Sequence, residues 1–208
     1  TLSNSSVAEN DTAAIIGNLT VTDVDSSNFT YTVNDNRFEV VNSQLKLRDG
    51  ESLDFETENS ITLEITATDD GNPNLSFNKN FALAVTDINE APTEITLSNS
   101  SVAENDTAAI IGNLTVTDVD SSNFTYTVND NRFEVVNSQL KLRDGESLDF
   151  ETENSITLEI TATDDGNPNL SFNKNFALAV TDINEAPTEI TLSNSSVAEN
   201  DTAAIIGN

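Results

Sequence analysis

The side chains able to do chemistry in this sequence are carboxylates, and they come in clusters. In the first 95 residues they stand in VAEN (Val7 to Asn10), DVD (Asp23 to Asp25), RDGES (Arg48 to Ser52), LDFE (Leu53 to Glu56), ATDDGNP (Ala67 to Pro73) and DINEAP (Asp87 to Pro92). Cysteine, histidine, methionine and tryptophan are absent by inventory, histidine explicitly at 0 and cysteine at 0. That excludes disulfides, thiolate nucleophiles, His/Cys zinc sites and His general bases. Acids without basic partners repel one another. A hard cation resolves this, and Ca²⁺ fits best, since it accepts six to eight oxygens from Asp, Glu, Asn and backbone carbonyls in flexible geometry, where Mg²⁺ demands a strict octahedron. Asp23-Val-Asp25 opens like an EF-hand loop, but the sixth position is Asn28 instead of Gly and the twelfth is Asn34 instead of Glu, so that reading fails. Paired carboxylates such as Asp69 and Asp70 could serve a glycoside hydrolase; as neighbours in a turn they read better as a ligand and a solvated acid.

The charge balance points the same way. Asp plus Glu number 36 against 8 Lys plus Arg, for a formal net charge of −28. Nucleic acid and anionic membrane surfaces are poor partners for such a chain. No stretch approaches the roughly 20 apolar residues of a membrane helix, and no signal peptide is present in this sequence.

The elements that must position the acids follow from a repeat. The sequence restarts without substitution at Thr96 and again at Thr191, a period of 95 residues, the size of a whole small domain rather than a solenoid unit. This predicts a module with its linker over 1–92, a second over 93–187, and the opening of a third over 188–208. Ile61, Leu63, Ile65 and Ala67 alternate with Thr62, Glu64, Thr66 and Thr68, and Phe81, Leu83 and Val85 alternate with Ala82, Ala84 and Thr86, which is the period of half-buried strands. Shorter runs at Ile15 to Val21, Phe29 to Val33, Phe38 to Val41 and Gln44 to Leu47 bring the count to about seven strands per repeat, with no convincing helix. The expected fold is all-β: tandem seven-stranded Greek-key β-sandwiches, arranged end to end. Phe29, Phe38, Leu45, Leu63 and Phe81 are the expected core. The acids then fall at strand ends. The tail from Thr188 to Asn208, a leading strand without its sandwich, is expected to be irregular or to pair with a neighbouring chain.

In order and spacing these motifs resemble those of cadherin domains, in particular the cadherin-like modules repeated in large bacterial surface proteins exported as RTX-type adhesins. VAEN resembles the family's xEN, DVD its DxD, LDFE its LDRE, ATDDGNP its AxDxGxP and DINEAP its DxNDNxP linker. The resemblance implies that the motifs converge on the joint between two modules, where three Ca²⁺ ions bind and stiffen it. Carried over, it implies metal ligands at Glu9, Asp54 and Glu56 from one module; Asp87, the carbonyl of Ile88, Asn89 and Glu90 from the linker; and Asp118, Asp120 and Asp164 from the next. A second joint would draw on Glu104, Asp149, Glu151, Asp182, Ile183, Asn184 and Glu185. Asp23, Asp25 and Asp69 would face a preceding linker. Glu90 stands where the family usually has Asp. At the first joint eight carboxylates would meet six positive charges, so the ions would nearly neutralise it.

Identical copies suit a spacer better than an enzyme, because a catalytic site is needed once. The expected function is a calcium-dependent extender of an extracellular, cell-surface adhesin, not an enzyme. Its partners would be neighbouring identical modules, with no nucleic acid and no membrane insertion. The alternative is a carbohydrate-binding or homophilic adhesion module; it is weakened by the absence of tryptophan and by only one Tyr and five Phe per repeat, at positions that read as core.

Overall fold

The computed structural model describes residues 1–200 and 202–203 and contains strands, turns and loops without a helix among them. The chain divides into two compact units. The first takes Thr1–Thr93 together with the loops Thr117–Thr125 and Thr163–Ser171, and the second takes Glu94–Val116, Tyr126–Ala162 and Phe172–Asn208.

The first unit holds β1 (Ser6–Ala8), β2 (Ile15–Asn18), β3 (Phe29–Val33), β4 (Phe38–Val41), β5 (Gln44–Leu47), β6 (Ser60–Asp69) and β7 (Ser76–Thr86). They form two sheets, β1-β7-β6-β3 and β2-β5-β4. Alternation does the folding: along β6, Ile61, Leu63 and Ile65 are buried while Thr62 and Glu64 are exposed, so one pleat face joins the core and the other meets water. Leu45, Leu47, Leu63 and Leu83 are fully buried and Phe38 nearly so. Phe29 and Phe81, expected in the core, are only half-buried, and Phe77 is 69% exposed. The first and last strands run parallel, with Val7 opposite Val85. This pairing carries VAEN to the end of the sandwich where β7 runs into DINEAP.

The second unit repeats this plan with β8 (Glu94–Leu97), β9 (Ser101–Ala103), β10 (Ile110–Thr117), β11 (Thr125–Val128), β12 (Phe133–Val136), β13 (Gln139–Leu142), β14 (Ser155–Thr163) and β15 (Ser171–Thr181). Its sheets are β11-β14-β15-β9 and β12-β13-β10-β8, four strands each. The eight strands are the expected seven with the leading one in two pieces. The leading segment splits in two, β8 joining one sheet beside β10 and β9 pairing in parallel with β15 in the other. Ser98 to Ser100 make the crossing, and Asn99 Nδ2 donates to the carbonyls of Ser101 (2.9 Å) and Ile111 (2.8 Å). Gly112 permits the close passage, for a Cβ there would lie 2.9 Å from the Asn99 nitrogen. Residues 182–200 form no strand, and of the tail expected to be irregular or paired, Asp201 and residues 204–208 lie outside the described residues.

Candidate metal centre

The site is built around a buried carboxylate. Glu9 is 2% exposed, just beyond β1. Its Oε2 accepts from the Phe55 amide at 2.7 Å and its Oε1 from the Ile88 amide at 2.8 Å. One side chain thus ties the LDFE loop to the linker. Each oxygen keeps a lone pair, which is what a ligand shared with backbone amides requires. The sequence supports this locally: Asn10 takes a left-handed φ of 61°, tolerated by Asn, and its amide bonds the Leu53 carbonyl at 3.0 Å. The Asn10 side chain in turn donates to Glu90 Oε1. Among the ligands inferred from sequence Asn10 is missing, although the VAEN motif contains it.

Around Glu9 the acids gather in two groups that share Glu56. Oxygens of Glu9, Glu56 and Asp87 lie within 4.8 Å of one another, as do oxygens of Glu56, Glu90 and Asp120. The 117–125 loop is held in place by its own acids. Asp118 Oδ1 accepts from the amides of Asp120 (2.9 Å) and Ser121 (2.8 Å), and Asp120 Oδ2 accepts from the Glu90 amide at 2.7 Å. Asp164 is 3% exposed. Its Oδ1 accepts from the amides of Gly166 (3.1 Å) and Leu170 (2.9 Å), and its Oδ2 from Asn89 Nδ2 at 3.0 Å. Asn89 also donates to the Pro168 carbonyl. Ile88, whose carbonyl was inferred to be a ligand, contributes its amide to Glu9. Asp54 faces a different task, its carboxylate receiving the Thr57 amide (3.1 Å) and hydroxyl (2.6 Å).

Two polar atoms in this cluster are buried without a hydrogen-bond partner, Glu90 Oε2 and Asp118 Oδ2. Orphaned carboxylate oxygens are expensive unless a cation meets them. No basic side chain does so among the described residues: Arg37 pairs with Asp35 and Glu58, Lys46 with Glu39 and Asp49, and Arg48 with Glu39. The protonation equilibria register the crowding. Desolvation and the like charges of Glu9, Glu90 and Asp120 push the Glu56 carboxyl up to about 7, although its side chain reaches solvent. Desolvation also raises Asp87, with Asp120 and Glu9 adding to it, and raises Glu90 despite the bond from Asn10, with Asp120 and Glu9 adding to the rise. Asp164 moves the other way: against desolvation, its bonds from Leu170, Asn89 and Gly166 hold it below the usual range. Hard oxygen donors, two of them unpartnered, with charge in excess, match a divalent cation of the Ca²⁺ kind.

The second unit repeats the base of the site. Glu104 accepts from the amides of Phe150 (2.8 Å) and Ile183 (2.7 Å), and Glu104, Glu151, Asp182 and Glu185 form one group with oxygens within 4.8 Å. Asn105 donates to Glu185 at 2.7 Å, and Asn184 lies beside it, its Nδ2 3.4 Å from the Glu185 carbonyl. Asp149 is held by Thr152 as Asp54 is by Thr57. Asp23, Asp25 and Asp69 join no such group among the described residues; Asp23 Oδ1 accepts from the amides of Asp25 and Ser26, and Asp69 Oδ1 from those of Gly71 and Leu75.

The two-sheet sandwich fold is shared with known proteins. The EC1–2 fragment of human protocadherin-24 superposes with a TM-score of 0.68 at 18% identity, over 86% of this chain and 94% of that one. Mouse cadherin-23 EC22–24 gives 0.65 at 20% identity, over 86% of this chain and 63% of that one. The fold is cadherin-like. Sequence relatives agree. Human protocadherin gamma-A10 is 29% identical over 165 residues, 72% of this chain and 18% of its own length. Chimpanzee (Pan troglodytes) protocadherin gamma-A4 is 32% identical over 154 residues, 67% of this chain and 16% of its own. This cadherin-like chain therefore spans less than a fifth of the length of these relatives. No protein-family model matches it.

Proposed function

We propose that the chain is a calcium-dependent extender of an extracellular surface adhesin, in which Ca²⁺ at the joint between the repeated modules, 1–92 and 93–187, stiffens the array. The observation that carries this reading is the pair of carboxylate groups sharing Glu56, joined to the orphaned oxygens of Glu90 and Asp118. Bound Ca²⁺ would supply positive charge and oxygen coordination where the protein has only acids. Glu9, Glu56, Asp87, Glu90, Asp118 and Asp120 would hold it, with Asn89 and Asp164 locking the linker to the 163–171 loop. With Asp54 and Asp164 counted beside these six, eight acids would face the six positive charges of three ions per complete joint. The reading is of a structural element, not an enzyme, whose repetition without substitution lengthens a stalk. We place it in a bacterial adhesin that holds a binding domain away from the cell. Extracellular modules bind Ca²⁺ at about 10⁻⁴ to 10⁻³ M, so stiffening would follow export.

The test is small-angle X-ray scattering of the chain, titrated with Ca²⁺ and then EDTA, beside an Asp87→Ala, Glu90→Ala variant. A maximum dimension that lengthens and sharpens with Ca²⁺ in the parent, and not in the variant, is the expected outcome. A profile indifferent to Ca²⁺ would sink the extender reading.

A further inference from the structure

Each repeat contains two Asp-Gly steps, Asp49-Gly50 and Asp70-Gly71 in the first, Asp144-Gly145 and Asp165-Gly166 in the second. In any such step the carboxyl carbon can close a small ring with the next residue's amide nitrogen, and glycine, with no Cβ and the widest backbone freedom, hinders that closure least. The two steps have the same covalent chemistry. They differ in what the fold does with the two reacting groups.

Asp49-Gly50 is the crest of the turn that follows β5. The Glu51 amide donates to the Arg48 carbonyl at 3.1 Å and Gly50 has a φ of 89°, the third position of a type II turn. Such a turn is closed by the amide of its fourth residue, and the Gly50 amide donates to no group among the described residues. The Asp49 side chain is 88% exposed, and its partner is Lys46 Nζ at 3.1 Å, an exposed ion pair of little strength. A Cβ placed on Gly50 would meet nothing within 4 Å, so the peptide has room to rotate. The second repeat has the same turn after β13: the Glu146 amide donates to the Arg143 carbonyl at 3.0 Å, Gly145 has a φ of 88°, and Asp144 is exposed beside Lys141 at 3.5 Å.

Asp70-Gly71 is held at both ends of the reaction. The Gly71 amide donates to Asp69 Oδ1 at 3.0 Å, and Asp70 Oδ2 accepts from Asn28 Nδ2 at 3.0 Å. Its counterpart is held alike, the Gly166 amide on Asp164 Oδ1 at 3.1 Å and Asp165 Oδ2 under Asn123 Nδ2 at 3.1 Å. Neither nitrogen can turn toward its carboxyl without giving up a hydrogen bond.

We infer that Asp49-Gly50 and Asp144-Gly145 are sites of spontaneous covalent modification in the folded protein, isomerising to isoaspartate through a cyclic imide, and that the fold protects Asp70-Gly71 and Asp165-Gly166. The Gly50 nitrogen attacks Cγ of the protonated Asp49 carboxyl. The N–Cγ bond forms, the Cγ–O bond breaks, and the amide proton leaves with the hydroxyl as water. Water then adds back to the ring. Breaking N–Cγ restores aspartate, whereas breaking the bond from the nitrogen to the Asp49 backbone carbonyl carbon leaves the chain running through Cγ with a free α-carboxylate. The water lost is the water returned, nothing is oxidised or reduced, and net charge is kept. The backbone gains a methylene at an exposed turn, and Lys46 retains Glu39 at 3.3 Å.

Prolonged incubation of the folded chain in warm buffer with Ca²⁺ tests this, read by proteolysis and electron-transfer fragmentation, which tells isoaspartate from aspartate. Cleavage at Phe55 and Phe150 separates the two kinds of step, and the two repeats give identical peptides, so each kind is read as a pair. Isoaspartate should accumulate at Asp49 and Asp144, and about tenfold or more slowly at Asp70 and Asp165, whose reacting groups must first lose hydrogen bonds. In urea the two kinds should converge, since the covalent step is the same. Asp49→Glu with Asp144→Glu keeps the charge but demands a larger ring, and should remove the signal. Equal accumulation at both kinds of step in the folded chain, or none at Asp49 and Asp144 while the unfolded chain reacts, overturns the inference.

Discussion

Asn89 shows how closely the site is fitted to single residues. A Cβ at Gly166 would overlap its side-chain amide, whereas at the equivalent Gly71 the nearest atom is Asp69 Oδ1 at 3.2 Å, a contact that a small adjustment relieves. Gly166→Ala should therefore expel Asn89 from Asp164 and leave a buried carboxylate oxygen unpaired, costing about 1–3 kcal/mol. Gly71→Ala should stay within about 0.5 kcal/mol of the parent. Urea denaturation of the two variants side by side checks this; equal losses would show that the glycine serves the turn alone. Glu56 makes a second prediction. Its carboxyl sits at about 7 in the folded protein against an ordinary 4.5. Between those values the metal-free folded state keeps a proton the unfolded state has released, so its stability falls as pH rises through that window. Ca²⁺ needs the ionised form, so its affinity should fall as pH drops below about 7. Thermal melts in EDTA should show the first slope and calcium titrations the second, and Glu56→Gln should flatten the melts; an unchanged slope in that variant would assign it elsewhere.

At the scale of elements, β8 decides how much the leading strand is worth. Ile95 is fully buried and Ile190, in the same local sequence, is 96% exposed. Ile95→Ala should cost about 2–5 kcal/mol through lost burial and the cavity left behind. Ile190→Ala in dilute solution should cost under about 0.5 kcal/mol. Denaturant midpoints of the pair measure it, and similar shifts would mean the tail is ordered in solution. The same contrast explains what was legible beforehand. Alternation exposed β6 and β7, because a half-buried strand writes its pleat into the sequence, and the all-β sandwich with its strand-end acids followed. The split of β8 from β9 was not legible, since Ser98, Asn99 and Ser100 read as one more polar turn and the change of sheet depends on Gly112 lying opposite. Nor could periodicity tell Phe38, almost fully buried, from Phe77, since both sit in alternating runs and differ only in what covers them. Of the candidate ligands, Glu9, Glu56, Asp87, Glu90 and Asp120 come together in the first unit, while Asp54 serves Thr57. The chemistry of an acid is visible in sequence; its hydrogen-bond partner is set by the fold.

For the whole molecule the governing quantity is a net charge of −28 carried by 208 residues. Self-repulsion on that scale opposes compaction and is softened in two separable ways. Simple salt screens it, with a Debye length of about 8 Å at physiological ionic strength, and acts on every exposed acid alike. A bound divalent ion acts only where carboxylates converge. In EDTA, adding NaCl should therefore raise the melting temperature gradually. Ca²⁺ at matched ionic strength should raise it further: at about 100 times the dissociation constant one site contributes about 2.7 kcal/mol, or roughly 5–10 °C for a chain of this length. Mg²⁺, which holds its waters and prefers six rigid ligands, should give a smaller rise. Once Ca²⁺ is bound, further NaCl should lower the melting temperature by competing for the site. Differential scanning calorimetry across these conditions separates the two effects. If Ca²⁺, Mg²⁺ and NaCl at equal ionic strength move the transition equally, the acids form a screened surface with no specific ion, and the orphaned oxygens of Glu90 and Asp118 need another partner.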